Sequence, residues 1–290
     1  MDVFLEQAAN GVVIGITYAL VAIGLTLIYG ILEVINMAQG TLYMLGAYSA
    51  YVLVAYLHVD YFAAVLLSVP IAGAMGLVME RLSVTPLLGR HHVVFLLSTF
   101  GAAVVAENLV LIAFGPDALP LDSPIARTVQ GVGGIIFITQ QKVFVLLAGV
   151  LAIAALAQFI RRGRLGKAMR AVAADRDTAA LMGIDVRQVY RLAFFIGAGI
   201  SGAAGAPMGA VYSIEPMMGN LVLLKSFVVV IMGGMGSLPG AFLGGLILGL
   251  AESLGGAYLT IEYKDAFGLV AMIAVLLLRP QGLLGRKGLQ

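Results

Sequence analysis

The chain has no cysteine and no tryptophan in 290 residues, and only 11% of its residues are charged. Without cysteine there are no disulfides and no thiolate metal ligands. A soluble domain carries about 25% charged and about 45–50% apolar residues. Here 61% are hydrophobic and the mean hydropathy is +1.04, which excludes a soluble globular enzyme. A formal net charge of +2 leaves no basic face for nucleic acid and no charge excess for a disordered chain. The stretch Met1–Gln7 has no basic residue, so it is not expected to be a signal peptide, which needs a positive n-region. Walker A, H-E-x-x-H and G-x-S-x-G patterns are all missing. Gly233-Gly234-Met235-Gly236 lacks the Lys-Ser/Thr of a phosphate loop. Of the three histidines, His58, His91 and His92, the adjacent pair would point apart on a helix. They read as solvated loop residues rather than metal ligands.

Long apolar runs dominate instead. A membrane-spanning helix needs about 20 mostly apolar residues. Runs of this kind lie near 8–31, 41–57, 62–80, 93–115, 143–160, 192–213, 222–236, 238–259 and 266–279. Three of them, 41–57, 222–236 and 266–279, are short, so eight or nine spans are expected, some broken or re-entrant. Unbroken runs argue against an outer-membrane barrel, whose strands alternate. The 37 glycines suit helices that pack backbone to backbone in a membrane. The expected fold is an all-α polytopic bundle forming one transmembrane domain over 1–290.

The few charges orient the bundle. Arg161, Arg162, Arg164, Lys167, Arg170, Arg176, Arg187 and Arg191 put eight of the 17 basic residues in the 161–191 loop. The positive-inside rule places that loop in the cytoplasm. Arg81, Arg90 and the tail with Arg279, Arg286 and Lys287 belong on the same side. The 116–142 loop balances Asp117 and Asp122 against Arg127 and Lys142 and fits outside. Nine alternating spans then place the N-terminus outside and the C-terminus inside.

Two stretches look alike: Ile35-Asn36-Met37-Ala38-Gln39-Gly40-Thr41-Leu42 and Ile214-Glu215-Pro216-Met217-Met218-Gly219-Asn220-Leu221. Each follows a Gly-rich span and opens a short apolar segment, and in the nine-span arrangement they lie on opposite sides. That is the pattern of an inverted-topology repeat. Interrupted polar backbone at membrane depth is tolerated only where protein covers it or an aqueous cavity adjoins it. The plainer alternative is a pair of interfacial turns capped by Thr41 and Asn220. Four further polar side chains fall inside spans: Glu107 and Asn108, Lys225, and Glu252. An ionised group at the bilayer centre costs about 2.5–3.5 kcal/mol on insertion scales, so these residues either line a polar path or pair internally, and a Lys225 pair with Glu252 or Glu107 is the favoured expectation. Asn36, Gln39, Thr41, Glu107, Asn108, Glu215 and Asn220 are the candidates for lining a solute path.

In the 161–191 loop, Ala171 to Met182 follows a helical pattern. Asp175 and Asp177 favour a helix start near Thr178, and Gly183 is placed to end it. A compact cytoplasmic knob results, either a docking element for a partner or an ordinary positive loop.

The stretches YALVAIGLTLIYGILEVINMAQGTLYMLGAY at 18–48, ERLSVTPLLGR at 80–90, GKAMRAVAADRDTAALMGID at 166–185 and GGMGSLPGAFLGGLILGLAESL at 233–254 carry a resemblance. So do EYKDAF and RPQGLLGR near the end. In order and spacing, the chain resembles the permease subunits of branched-chain amino acid ABC importers, LivH-type, the first of their two membrane subunits. The resemblance implies a bacterial inner-membrane permease without enzymatic activity of its own. It implies a second permease as heterodimer partner, two cytoplasmic ATP-binding subunits that use ATP and Mg, and a periplasmic solute-binding protein. No cofactor is expected on this chain. The resemblance also assigns ATPase coupling to Ala174, Asp175, Ala179, Gly183, Ile184 and Asp185. Where the family usually has Gln-Asn, this chain has Glu107-Asn108, which leaves urea, short amides or aromatic acids as alternative solutes. A secondary transporter, with Glu107 as its titratable group, is the rival from another class. A membrane-embedded enzyme lacks any catalytic constellation at depth.

Overall fold

The computed structural model describes residues 2–125, 129–132, 136–259 and 261–285. The helices are α1 (Asp2–Leu32), α2 (Gln39–Ala55), α3 (Tyr61–Met79), α4 (His92–Phe114), α5 (Gln140–Arg162), α6 (Arg164–Ala174), α7 (Arg176–Leu181), α8 (Val186–Met208), α9 (Met218–Gly233), α10 (Leu238–Tyr258) and α11 (Lys264–Leu278). Six are long and apolar enough to cross a membrane: α1, α3 with its extension to Leu87, α4, α5, α8 and α10. The three remaining apolar helices, α2, α9 and α11, are those whose runs read as short. Six long helices and three short ones thus stand where eight or nine spans were expected. The one strand ladder among the described residues is in the 116–142 loop. Its strands, β1 (Val129–Val132) and β2 (Ile136–Thr139), pair antiparallel. Arg127, Arg286 and Lys287, which entered the charge argument, lie outside the described residues.

The long helices cross-pack between the two halves. α1 runs antiparallel to α10: a Cβ on Gly11 would meet Gly249, and one on Gly15 would meet Gly245. α3 runs antiparallel to α8 in the same way, with Gly73 facing Phe195 and Gly202 facing Ala72 and Ser68. Each half therefore lends its third helix to the first helix of the other. The two first helices, α1 and α8, cross antiparallel where Gly24 meets Gly197. Equivalent helices running antiparallel are what a two-fold axis in the membrane plane produces, so the inverted repeat read from two short motifs extends over both halves. Glycine at these crossings lets backbones approach within van der Waals contact, the main source of helix attraction where lipid is as apolar as leucine.

The central helices are covered by their neighbours. Ala19, Val21, Ala22, Ile28, Leu42, Met44 and Ala47 are fully buried. α4, α5 and α11 form the periphery, exposing Ile112, Leu151 and Leu278 among others. α5 runs parallel to α1, with Lys142 Nζ donating to Asn10 Oδ1 at 2.9 Å at its start and Gly149 packed on Ile16 further along. Its basic C-terminus and α6–α7 therefore sit at the end of the bundle where α1 finishes. There Glu33, with φ 55°, closes α1 in a left-handed conformation. The described C-terminal strap, ending at Gly285, returns to this end, where Leu283 N donates to the Met232 carbonyl at 2.9 Å.

Candidate functional site

The two similar motifs meet. α2 and α9 both begin inside the bundle, and their first turns touch back to back. A Cβ on Gly40 would lie 2.3 Å from the Gly219 carbonyl oxygen, and one on Gly219 would lie 2.2 Å from that of Gly40. The reciprocity marks the repeat axis. Only residues without a side chain fit on either side.

The first motif is sealed by its own polar groups. Asn36 Oδ1 accepts from Ala38 N at 3.1 Å, and Asn36 Nδ2 donates to Gln39 Oε1 at 3.0 Å. Gln39 Nε2 donates to the Gly197 carbonyl at 2.9 Å and to Ser201 Oγ at 2.6 Å, both in mid-α8. Thr99 Oγ1, from α4, accepts from Met37 N at 3.1 Å. These bonds satisfy the backbone and side-chain groups that an interrupted helix leaves open, as a low-dielectric setting demands. Asn36 is 1% exposed and Gln39 0%, so in this conformation neither faces a path. Gln39 holds the start of α2 against α8, and Asn36 holds Gln39 in place. Ser201, Gly197 and Thr99 were not singled out from sequence, since a lone Ser or Thr in an apolar run carries no positional signal.

The other candidates divide by exposure. Thr41 is buried and donates through Oγ1 to Glu107 Oε1 at 3.4 Å. Glu107 is half-buried at mid-α4, and no basic partner reaches it among the described residues. Asn108 is exposed and turns back to the Val104 carbonyl at 2.8 Å. In the second motif Glu215 and Asn220 are exposed. The motif is pinned by a two-way backbone pairing of Ile214 with Leu119, each N–H···O at 2.9 Å. Glu107, Asn108, Glu215 and Asn220 thus present polar atoms at the chain's surface, while Asn36, Gln39 and Thr41 lie behind it.

The expected ion pair is present, with Glu252 and not Glu107 as partner. Lys225 of α9 donates to Glu252 of α10 and, at 2.9 Å, to Asp265 at the start of α11. Tyr18 of α1 donates to the second Glu252 oxygen at 3.3 Å. The cluster ties four helices of different sequence distance. Asp265 lay in the EYKDAF stretch, and Tyr18 in an apolar run, and nothing in their spacing pointed to Lys225. Two cavities, of about 470 and 200 Å³, open at the end of the bundle opposite the basic loop. Gln141, Lys142 and Tyr212 border the first, and Asn10, Glu252 and Lys264 the second.

At the basic end the loop forms two helices: the helical pattern over Ala171–Met182 is interrupted, and the second helix starts at Arg176, close to the start expected near Thr178. Asp175, extended at φ −161°, breaks them apart. Its Oδ1 accepts from Asp177 N at 2.9 Å and Thr178 N at 3.1 Å, and its Oδ2 from Thr178 Oγ1 at 2.6 Å. The Thr178 bonds hold its carboxyl below the usual range. Gly183 ends the knob at φ 82°, as its position predicted, and Asp185 caps α8 through Gln188 N at 3.1 Å. Ala174, Asp175, Gly183 and Asp185 are exposed, Ile184 is half-buried, and Ala179 points inward. Beside these residues the knob carries an apolar tip, Leu181 at 88% and Met182 at 79% exposed. His91 and His92 are exposed. Among the described residues no cluster of three or more His, Cys, Asp or Glu side chains could hold a metal ion.

With this geometry in view, the profile of the family described as branched-chain amino acid transport system / permease component matches residues 7–276. The chain belongs to that family. It is 38% identical to the high-affinity branched-chain amino acid transport system permease protein LivH of Escherichia coli, over 98% of this chain and 96% of that one. It is 36% identical to BraD of Pseudomonas aeruginosa, over 98% and 96%. It is 25% identical to LivM of Escherichia coli, over 92% of this chain and 67% of LivM. As a member of this permease family with six long apolar helices, the chain is a multi-pass membrane protein.

Proposed function

We propose that this chain is the LivH-type permease subunit of an ATP-driven importer for branched-chain or other small amino acids, set in the bacterial inner membrane. The observation that carries the reading is the reciprocal Gly40–Gly219 contact, in a chain similar to LivH from end to end. Two interrupted helices meeting at a repeat axis stand where one half rocks against the other in alternating access. The similarity to both LivH and LivM supports a second, related permease as partner. Two cytoplasmic ATPases, which bind ATP and Mg, and a periplasmic solute-binding protein complete the assembly. The α6–α7 loop and the C-terminus face the cytoplasm under the positive-inside rule. The ATPases engage the knob of Ala174, Asp175, Gly183, Ile184 and Asp185, and their closure rocks the halves about the repeat axis. Solute then passes the surface bearing Glu107, Asn108, Glu215 and Asn220. Solute choice rests chiefly with the binding protein.

Leucine uptake into proteoliposomes holding the assembled importer should require the binding protein outside and ATP with Mg inside. Uptake that survives removal of the ATPases sinks the proposal. Uptake driven by a proton gradient alone would favour the secondary-transporter reading, which Glu107 makes concrete as an intramembrane acid without a basic partner among the described residues. Transport of urea or an aromatic acid in place of leucine would keep the mechanism and change the solute.

A further inference from the structure

α5 leaves one stripe uncovered along its length. Leu147 and Leu151 are 63% and 71% exposed. Ala154 and Gln158 continue the stripe at helical spacing, and exposed Arg161 and Arg162 end it. An uncovered apolar stripe on a peripheral span faces hydrocarbon, so side chains that terminate it stand at headgroup level. Gly163, at φ −65° and ψ 145°, then turns the chain into α6. One face of α6, Gly166, Met169 and Val172, is buried on the bundle. The other carries exposed Arg164 and Lys167, with Leu165 47% exposed between them. Arg170 donates to the Ile160 carbonyl and draws α6 back onto the end of α5. Among the described residues, Arg161, Arg162, Arg164 and Lys167 have no carboxylate within 4.0 Å, whereas Arg176 pairs with Asp177 at 3.4 Å.

We infer that Arg161, Arg162, Arg164 and Lys167 form a binding surface for the phosphate-bearing headgroups of anionic phospholipid. Four cations without counterions continue a lipid-facing stripe and flank one apolar side chain. Arginine engages phosphate through a planar fork of donors, and a basic cluster beside a span attracts anionic lipid strongly. A protein partner has a different target on the same loop, the apolar Leu181–Met182 tip of α7. Lipid bound at α6 fixes that helix to the bilayer surface and gives α7 a firm base. The inference needs only the membrane placement of α5, so it stands or falls apart from the transport reading.

The test is competitive lipid retention. The purified full-length protein, alone or within its assembled complex, is equilibrated with equal amounts of phosphatidylglycerol and phosphatidylcholine and weighed by native mass spectrometry. The wild type should retain the anionic lipid in several-fold excess. The R161Q/R162Q/R164Q/K167Q variant should lose that preference, since each surface cation contributes about fivefold and four are removed. The R161K/R162K/R164K variant, which keeps charge, should retain most of it. Should the glutamine variant fail to fold, salt decides. Raising ionic strength from about 50 mM to about 500 mM must erase the wild-type preference if exposed cations produce it. Equal retention by wild type and glutamine variant, or a preference indifferent to salt, overturns the proposal.

Discussion

Single residues carry the junction of the two halves. At Gly40 and Gly219 the obstacle to any side chain is backbone on the opposing helix, at 2.3 and 2.2 Å, and backbone cannot rotate away. Gly40→Ala and Gly219→Ala should each destabilise the protein by about 1–3 kcal/mol or more, as overpacking does. A lowered midpoint of thermal unfolding in detergent is the measurement. The Lys225–Glu252 pair makes a different forecast. Lys225 and Glu252 side chains are 8% and 1% exposed. Lys225→Met alone leaves a buried carboxylate and should cost about 3–5 kcal/mol. Lys225→Met with Glu252→Leu removes both charges and should recover most of that loss in the same melting experiment. The pairing was legible in the sequence because a charge in an apolar run demands a partner. The choice of Glu252 over Glu107 was not, because α9, α10 and α11 converge there only when packed.

At the scale of elements, the breaks matter more than the spans. α2 is short because Asn36 bonds to Gln39 and to Ala38 N, and Gln39 bonds to α8, and these bonds replace the helical turn that would have joined it to α1. Gln39→Leu leaves the Ser201 hydroxyl and Gly197 carbonyl without that donor. It should cost about 1–3 kcal/mol and speed hydrogen exchange at the first turn of α2 before other segments. α7 depends on Asp175 in a similar way. Asp175→Ala should raise exchange at the Asp177 and Thr178 amides, while Asp175→Asn, still an acceptor, should change it little. A carboxyl held below its usual range stays ionised as the pH falls through that range. The cap's contribution is therefore complete at neutral pH, declines as the pH falls below the usual carboxylate value, and is gone once acid passes the lowered one. Capping residues could be read from sequence, since Asp175 and Gly183 act within a few residues of themselves. How far the first helix runs, from Arg164 to Ala174, could not, because the Ala-rich sequence is helical on either side of the break.

The whole molecule is held by exchange between halves, α1 on α10 and α3 on α8, around the α1–α8 and α2–α9 crossings. No half buries its own first helix, so neither should fold alone. Expressed separately, 1–125 and 126–290, which between them keep every described helix whole, should each be cleared from membranes, and co-expression should restore a folded pair detectable by co-purification. Coupling belongs to this scale as well. Met182→Cys, at the exposed tip, should cross-link to an ATPase subunit in the assembled importer, while Ala179→Cys, 4% exposed, should not. A cross-link from position 179 with none from 182 would show that the knob docks by another face.

From the residues alone came the membrane class, the helical class, the short helices, the caps and the suspicion of two matching motifs. Each of these follows from local hydropathy or from chemistry within one turn of chain. Tertiary structure alone decided that the motifs touch at Gly40 and Gly219, that Asn36 and Gln39 are sealed rather than open, and that Lys225 answers to Glu252 and Asp265. Those outcomes depend on which helices cross and at what height. In a membrane, where every helix is apolar all round, hydropathy sets no direction for packing, so glycines and a few polar groups decide it at the contacts they make.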